Sequence, residues 1–209
     1  MAGRILWDVD TQVDFMEPTG KLYVPDAEQV APAMARLVEA AHGAGIVHVA
    51  SADDHELTDP EIAEDPDFQN TYPPHCLRGT HGAEKILETK QEDPLPLSLV
   101  PFPPGLVPGM IEGRREILLL KKNFNVFTNP NTDPLLDALD PDELVVFGVA
   151  TDVCDDAAIR GFLRRGRRVT FVEDAAKGLD EARTAACTAA WREGGVAFRS
   201  VDEVIASLG

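Results

Sequence analysis

The chain has 209 residues, 44% of them hydrophobic, which is ample for one core and predicts one domain over residues 1–209. Lys and Arg total 19 against 36 Asp and Glu, and the net charge of -17 argues against nucleic acid or an anionic membrane surface as partner. Three cysteines do not make a disulfide framework, no leader-like N-terminus is present and no 18-residue apolar run occurs, so a cytoplasmic protein is expected.

In chain order, Ile5 to Asp10 reads as a strand, and Thr11 to Asp26 as a loop marked by Pro18, Gly20 and Pro25. Ala27 to Ala44 has helical spacing through Val30, Met34, Leu37, Val38 and Ala41, and it stops at Gly43 and Gly45. A second strand begins at Ile46 and runs towards Asp53. A long irregular stretch with Pro60, Pro66, Pro73 and Pro74 follows, with a short helix predicted over 82–88. Residues 93–110 hold six prolines and read as a loop, long enough to suggest a lid or an interface. Strands at 117–121, 144–150, 169–172 and 196–200 then alternate with helices near 133–139, 154–165 and 180–193, and a last helix starts near Asp202. Gly166 caps the helix that ends in Arg164 and Arg165, so the basic cluster 164–168 reads as cations on a helix C-terminus. Strands alternating with helices predict an α/β fold: an open parallel sheet of about six strands with helices on both faces, a Rossmann-like three-layer sandwich.

In such a sheet the carboxyl ends of all strands share one edge, where ligands bind. Asp10, Asp53, Lys121 and Cys154 all lie at or just beyond strand ends, so a carboxylate, an amine and a thiol would meet in one cleft. A helix N-terminus beside Cys154 would lower its thiol pKa and favour the thiolate. Asp10 would serve as its base and Lys121 would hold both charges in place. Cys187, inside Ala-Ala-Cys-Thr-Ala-Ala, reads as packing. Asp53-x-His55 with His75 offers one carboxylate and two imidazoles for a divalent cation, although a solvated acidic loop explains the same spacing. His42 and His48 read as structural, and no nucleotide-binding glycine pattern appears.

Three segments, Asp10-Thr-Gln-Val-Asp-Phe15, Lys121-Lys-Asn-Phe124-Asn-Val-Phe127 and Gly148-Val-Ala-Thr-Asp-Val-Cys154, resemble the signatures of the isochorismatase-like cysteine hydrolases. Gly20-Lys-Leu-Tyr-Val-Pro25 and Tyr72-Pro-Pro-His-Cys-Leu-Arg-Gly-Thr80 are similar to its nicotinamidase/pyrazinamidase branch. The resemblance implies a catalytic triad of Asp10, Lys121 and Cys154. It implies a cis peptide at Val149–Ala150 and an oxyanion hole made by the N–H groups of Ala150 and Cys154. It further implies a divalent metal, zinc ahead of iron or manganese, on Asp53, His55 and His75, with Phe15 as an apolar wall for the substrate. The implied activity is amide hydrolysis through a thioester on Cys154, with nicotinamide as first substrate. Another small amide or ureide is the alternative, and a non-catalytic scaffold the reading from a different class. The implied partners are the small amide and further copies of the chain, as a dimer or tetramer.

Four positions depart from that pattern. Asp54 stands where the branch often carries Trp, which predicts a wetter pocket with weaker stacking. Asp155 and Asp156 follow the nucleophile where apolar residues are usual, and Asp8 lies inside the first strand.

Overall fold

Strict alternation in the first strand positions everything else. The computed structural model describes residues 3–103 and 105–208; Met1, Ala2, Pro104 and Gly209 lie outside the described residues. In β1 (Arg4–Val9), Ile5, Trp7 and Val9 enter one core and Leu6 enters the other. A strand buried on both faces belongs in the middle of a parallel sheet. β1 lies there, between β2 (Val47–Asp53) and β5 (Glu143–Val149), and is parallel to both. β4 (Glu116–Lys121) and β3 (Leu95–Leu97) extend the sheet beyond β2, and β6 (Val169–Lys177) and β7 (Ala197–Arg199) extend it beyond β5. The order is β3-β4-β2-β1-β5-β6-β7, with every pair parallel.

Helices cover both faces, as expected. One core packs α3 (Leu106–Ile111), α4 (Thr132–Leu139), α5 (Asp156–Arg164) and Trp191 of α6 (Glu181–Glu193) on the sheet. Trp7 meets Phe162 edge-on there, with ring centroids 4.8 Å apart. The other core packs α1 (Val13–Met16), α2 (Ala31–Gly43) and α7 (Val201–Ala206). Met34, Leu37, Val38 and Ala41 of α2 bury the stripe that its spacing predicts.

The differences from expectation are local. The sheet has seven strands rather than about six, because Leu95–Leu97 pairs with β4 despite Pro96. An edge strand tolerates a proline that a central one would not. Residues 93–110 thus form a strand and a helix instead of one loop. The predicted loop 11–26 contains α1, and the predicted helix 82–88 is a single 3₁₀ turn, His81–Ala83. Cys154 sits in a wide π-helical turn, Thr151–Asp155, ahead of α5, and the Asp155 N–H reaches back to the Ala150 carbonyl at 3.1 Å.

Strand order reverses between β1 and β5, and an open sheet of this type carries its crevice at such a switch point. Gly148 permits the close approach. It has φ +137°, and a Cβ there would lie 2.1 Å from the Val9 carbonyl oxygen.

Candidate active site

At that crevice Lys121 is the hub. Its ammonium lies 2.8 Å from Asp10 Oδ2, 2.5 Å from Asp53 Oδ1 and 4.0 Å from Cys154 Sγ, and it is fully buried. Burial alone would push a lysine towards neutrality. The flanking Asp10 and Asp53 carboxylates overcome this and hold the ammonium charged well above the ordinary lysine range. Asp10, at φ 50°, turns its carboxylate out of the end of β1, and the Ser51 hydroxyl donates to Oδ1 at 2.7 Å. The Val149–Ala150 peptide is cis.

The thiol differs from the sequence expectation. Cys154 is buried, and desolvation pushes its pKa well above the ordinary value, with Asp10 and Asp53 adding to the rise and Lys121 opposing it. Burial and the two carboxylates thus favour the thiol, whose proton needs an acceptor before sulfur can attack. Cys76 is also held protonated by burial, and Cys187 is raised as well.

Beside Lys121, Asp53 Oδ2 lies 3.9 Å from His55 Nε2 and 3.8 Å from His75 Nε2. One ligand atom from each residue falls within 4.8 Å of the others, and all three residues are buried. The remaining ring nitrogens are engaged elsewhere. His55 Nδ1 faces Asp59 Oδ2 at 3.4 Å, and His75 Nδ1 lies 2.8 Å from the Pro73 carbonyl. With Nδ1–H donating in each of those contacts, both Nε2 lone pairs would face Asp53. His55 Nε2 is buried without a hydrogen-bond partner, as a ligand nitrogen without its ion would be. The donor set fits a divalent transition metal.

Local folding delivers these ligands. Asp53 ends β2, and its N–H donates to Gln12 Oε1 at 2.7 Å while Gln12 Nε2 donates to the Asp53 carbonyl at 2.8 Å. His55 and Leu77 form an isolated parallel bridge, with His55 N–H to Cys76 O at 3.1 Å and Arg78 N–H to His55 O at 2.8 Å, which brings the His75 loop alongside. Asp14 holds that loop by accepting the Cys76 N–H at 2.6 Å.

A cavity opens over Cys154. Phe15, Leu22, Val24, Tyr72, Phe124 and Leu179 wall it, and Asp53, Glu61 and His75 line its polar end. The Phe15 ring centroid lies 5.5 Å from that of His75. Asp54 does not line the cavity. Its carboxylate turns outward to Arg78, with Nε at 2.9 Å, so the wet-pocket expectation is corrected. Asp156 pairs with Arg160 at 2.7 Å and accepts from Trp191 Nε1 at 2.8 Å. Asp8 is buried against Lys85 Nζ at 3.0 Å and the Thr11 hydroxyl. Glu61 had no sequence signal. Burial, reinforced by the Asp53 charge, raises its pKa to about 7, and Oε2 is buried without a partner.

With this geometry in place, the comparisons with known proteins decide the family. The isochorismatase domain profile matches residues 99–203, about half of the chain. The chain belongs to the isochorismatase family. This isochorismatase-family chain is 29% identical over 190 residues to the nicotinamidase/pyrazinamidase of Mycobacterium tuberculosis, covering 88% of this chain and 91% of the relative. Its fold is similar to that of the pyrazinamidase of Pyrococcus horikoshii, solved in complex with zinc. The TM-score is 0.75 at 22% identity, covering 95% of this chain and 99% of that one. The N-carbamoylsarcosine amidase of Thermoplasma acidophilum is similar too, with TM-score 0.71 at 23% identity over 95% of this chain and 96% of that one.

Proposed function

We propose that the chain is a cysteine amidohydrolase that converts a small heteroaromatic carboxamide, nicotinamide first, to its carboxylate and ammonia. It is a hydrolase of non-peptide C–N bonds, the class to which the named relatives belong. The observation that carries the finer reading is the Lys121 hub, which joins a thiol, a carboxylate and a three-ligand cluster at the foot of an apolar cavity.

Asp10 accepts the Sγ proton as sulfur adds to the carboxamide carbon, because the buried thiol does not ionise on its own. The Ala150 and Cys154 N–H groups hold the oxyanion. Asp10 returns the proton to nitrogen as the C–N bond breaks, ammonia leaves, and a thioester remains. Water then adds with Asp10 as base, and collapse releases the carboxylate and restores the thiol. Lys121 keeps the Asp10 carboxylate oriented throughout and offsets negative charge near sulfur. A divalent cation on Asp53, His55 and His75, zinc before iron or manganese, would supply an electrophilic anchor for a ring nitrogen.

Ammonia release from a panel of amides tests the reading. Nicotinamide and pyrazinamide should be turned over, benzamide should be poor for want of the ring nitrogen, and Cys154→Ala should lose about 10⁴-fold or more in kcat while its melting stays near that of the parent. Wild-type turnover in Cys154→Ala would remove the nucleophile. A second reading, hydrolysis of a ureide, is favoured by Glu61 alone, whose unpartnered buried oxygen at the cavity's polar end would accept an extra N–H. Ammonia from a carbamoyl amine, with nicotinamide inert, would select it.

A further inference from the structure

At the opposite, amino-terminal edge of the sheet, His42, His48 and Glu116 form a second cluster of ligand-type side chains. His42 lies in the last turn of α2, while His48 and Glu116 are register partners at the starts of β2 and β4. His42 Nε2 is 3.2 Å from His48 Nδ1 and 3.8 Å from Glu116 Oε1, and one ligand atom from each falls within 4.8 Å of the others. For bonds of about 2.0–2.1 Å, a tetrahedral ion separates its ligand atoms by about 3.3–3.4 Å, so the observed spacings bracket a coordination polyhedron.

We propose that His42, His48 and Glu116 bind one divalent transition-metal ion, separate from the cluster at Asp53, with one coordination position left to water. Two imidazoles and a carboxylate select zinc, nickel or copper over magnesium or calcium. The surroundings are built for the task. Glu116 Oε2 accepts the N–H groups of Glu92 at 2.9 Å and Asp93 at 2.8 Å, which fixes the carboxylate while Oε1 faces His42. His48 is fully buried, and its Nε2, without a hydrogen-bond partner, lies 3.7 Å from Asp8 Oδ2. The Asp8 carboxylate therefore faces the ring nitrogen remote from His42, which leaves His48 Nδ1 to the ion. Asp8 is itself fixed, by Lys85 Nζ at 3.0 Å and by Thr11 Oγ1 at 2.8 Å. His42 borders a surface hollow also lined by Glu92, Asp93, Arg114, Arg115 and Glu116, through which the ion would enter. Bound there, it would tie the end of α2 to the starts of two central strands. Neither the substrate nor the reaction proposed above is needed for this site.

The competing account is a plain hydrogen bond between the two imidazoles. Equilibrium dialysis with zinc distinguishes the two in a His75→Ala background, which disables the Asp53 cluster. The expected result is one zinc per chain in His75→Ala, weakened tenfold or more by adding either His42→Ala or Glu116→Gln. Cobalt in place of zinc should give an absorption spectrum of a nitrogen- and oxygen-ligated ion that disappears with His42→Ala. His42 is partly exposed, so its loss should leave the fold intact, and circular dichroism checks this. No zinc bound by His75→Ala, or zinc bound equally well after His42→Ala, would overturn the proposal.

Discussion

Asp155 is fully buried beside the nucleophile, and neither carboxylate oxygen has a hydrogen-bond partner. Desolvation, with the nearby Asp10 and Asp8 charges behind it, raises its pKa well above the ordinary aspartate value. The folded chain therefore keeps a proton that the unfolded chain releases above its own, lower pKa. Stability then falls as pH rises from about 4 towards the folded pKa, by up to about 1.4 kcal/mol for each pH unit. Asp155→Asn removes that loss. Urea melts should show the variant gaining on the parent as pH rises above the ordinary aspartate range, and parallel pH profiles for the two proteins would mean that the parent's Asp155 is ionised in the folded state. Asp54 teaches a complementary point. Its sequence position suggested a pocket wall, but successive side chains at a strand end point to opposite sides. Asp53 turns in towards Lys121 and Asp54 turns out to Arg78.

Strand ends deliver the chemistry, and side-chain clamps hold those ends in register. Gln12, fully buried, both donates to and accepts from the backbone of Asp53 and also donates to the Ala83 carbonyl at 2.9 Å. Gln12→Ala would leave a buried N–H and two carbonyls short of partners, at a cost of about 1–3 kcal/mol for each group that stays dry. Chemical denaturation should register the loss, and metal affinity at the Asp53 cluster should fall with it. An unchanged midpoint would mean that water replaces the amide. The central strands and the long helices were legible because their hydrophobic periods are regular, as in Ile5, Trp7 and Val9 or Met34, Leu37, Val38 and Ala41. The edge strand Leu95–Leu97 was hidden by its proline, and the π-turn at Cys154 left no mark in residue spacing. Asp10, Lys121 and Cys154 meet because parallel strands share an edge, and that much could be read from their places at strand ends. Leu22, Val24, Glu61 and Leu179 could not be placed, because a cavity wall assembled from loops has no period to read.

Across the whole molecule, the charge of -17 acts on everything that approaches the site. No Lys or Arg occurs between Arg36 and Arg78, the stretch that supplies Asp53, Glu61 and His75. No described helix is long and apolar enough to cross a membrane. A neutral amide gains nothing from this field, whereas the carboxylate it yields is repelled. Salt separates the two cases, because the screening length shrinks from about 30 Å at 0.01 M to about 3 Å at 1 M. For the proposed reaction, kcat/KM with nicotinamide should change little across that range, while inhibition by the carboxylate product should tighten several-fold as screening removes the repulsion. Product inhibition that weakens with salt would instead place the dominant attraction in the cations nearest the carboxylate, Lys121 and the proposed metal, and would show that the site's own charges outweigh the acidic surface.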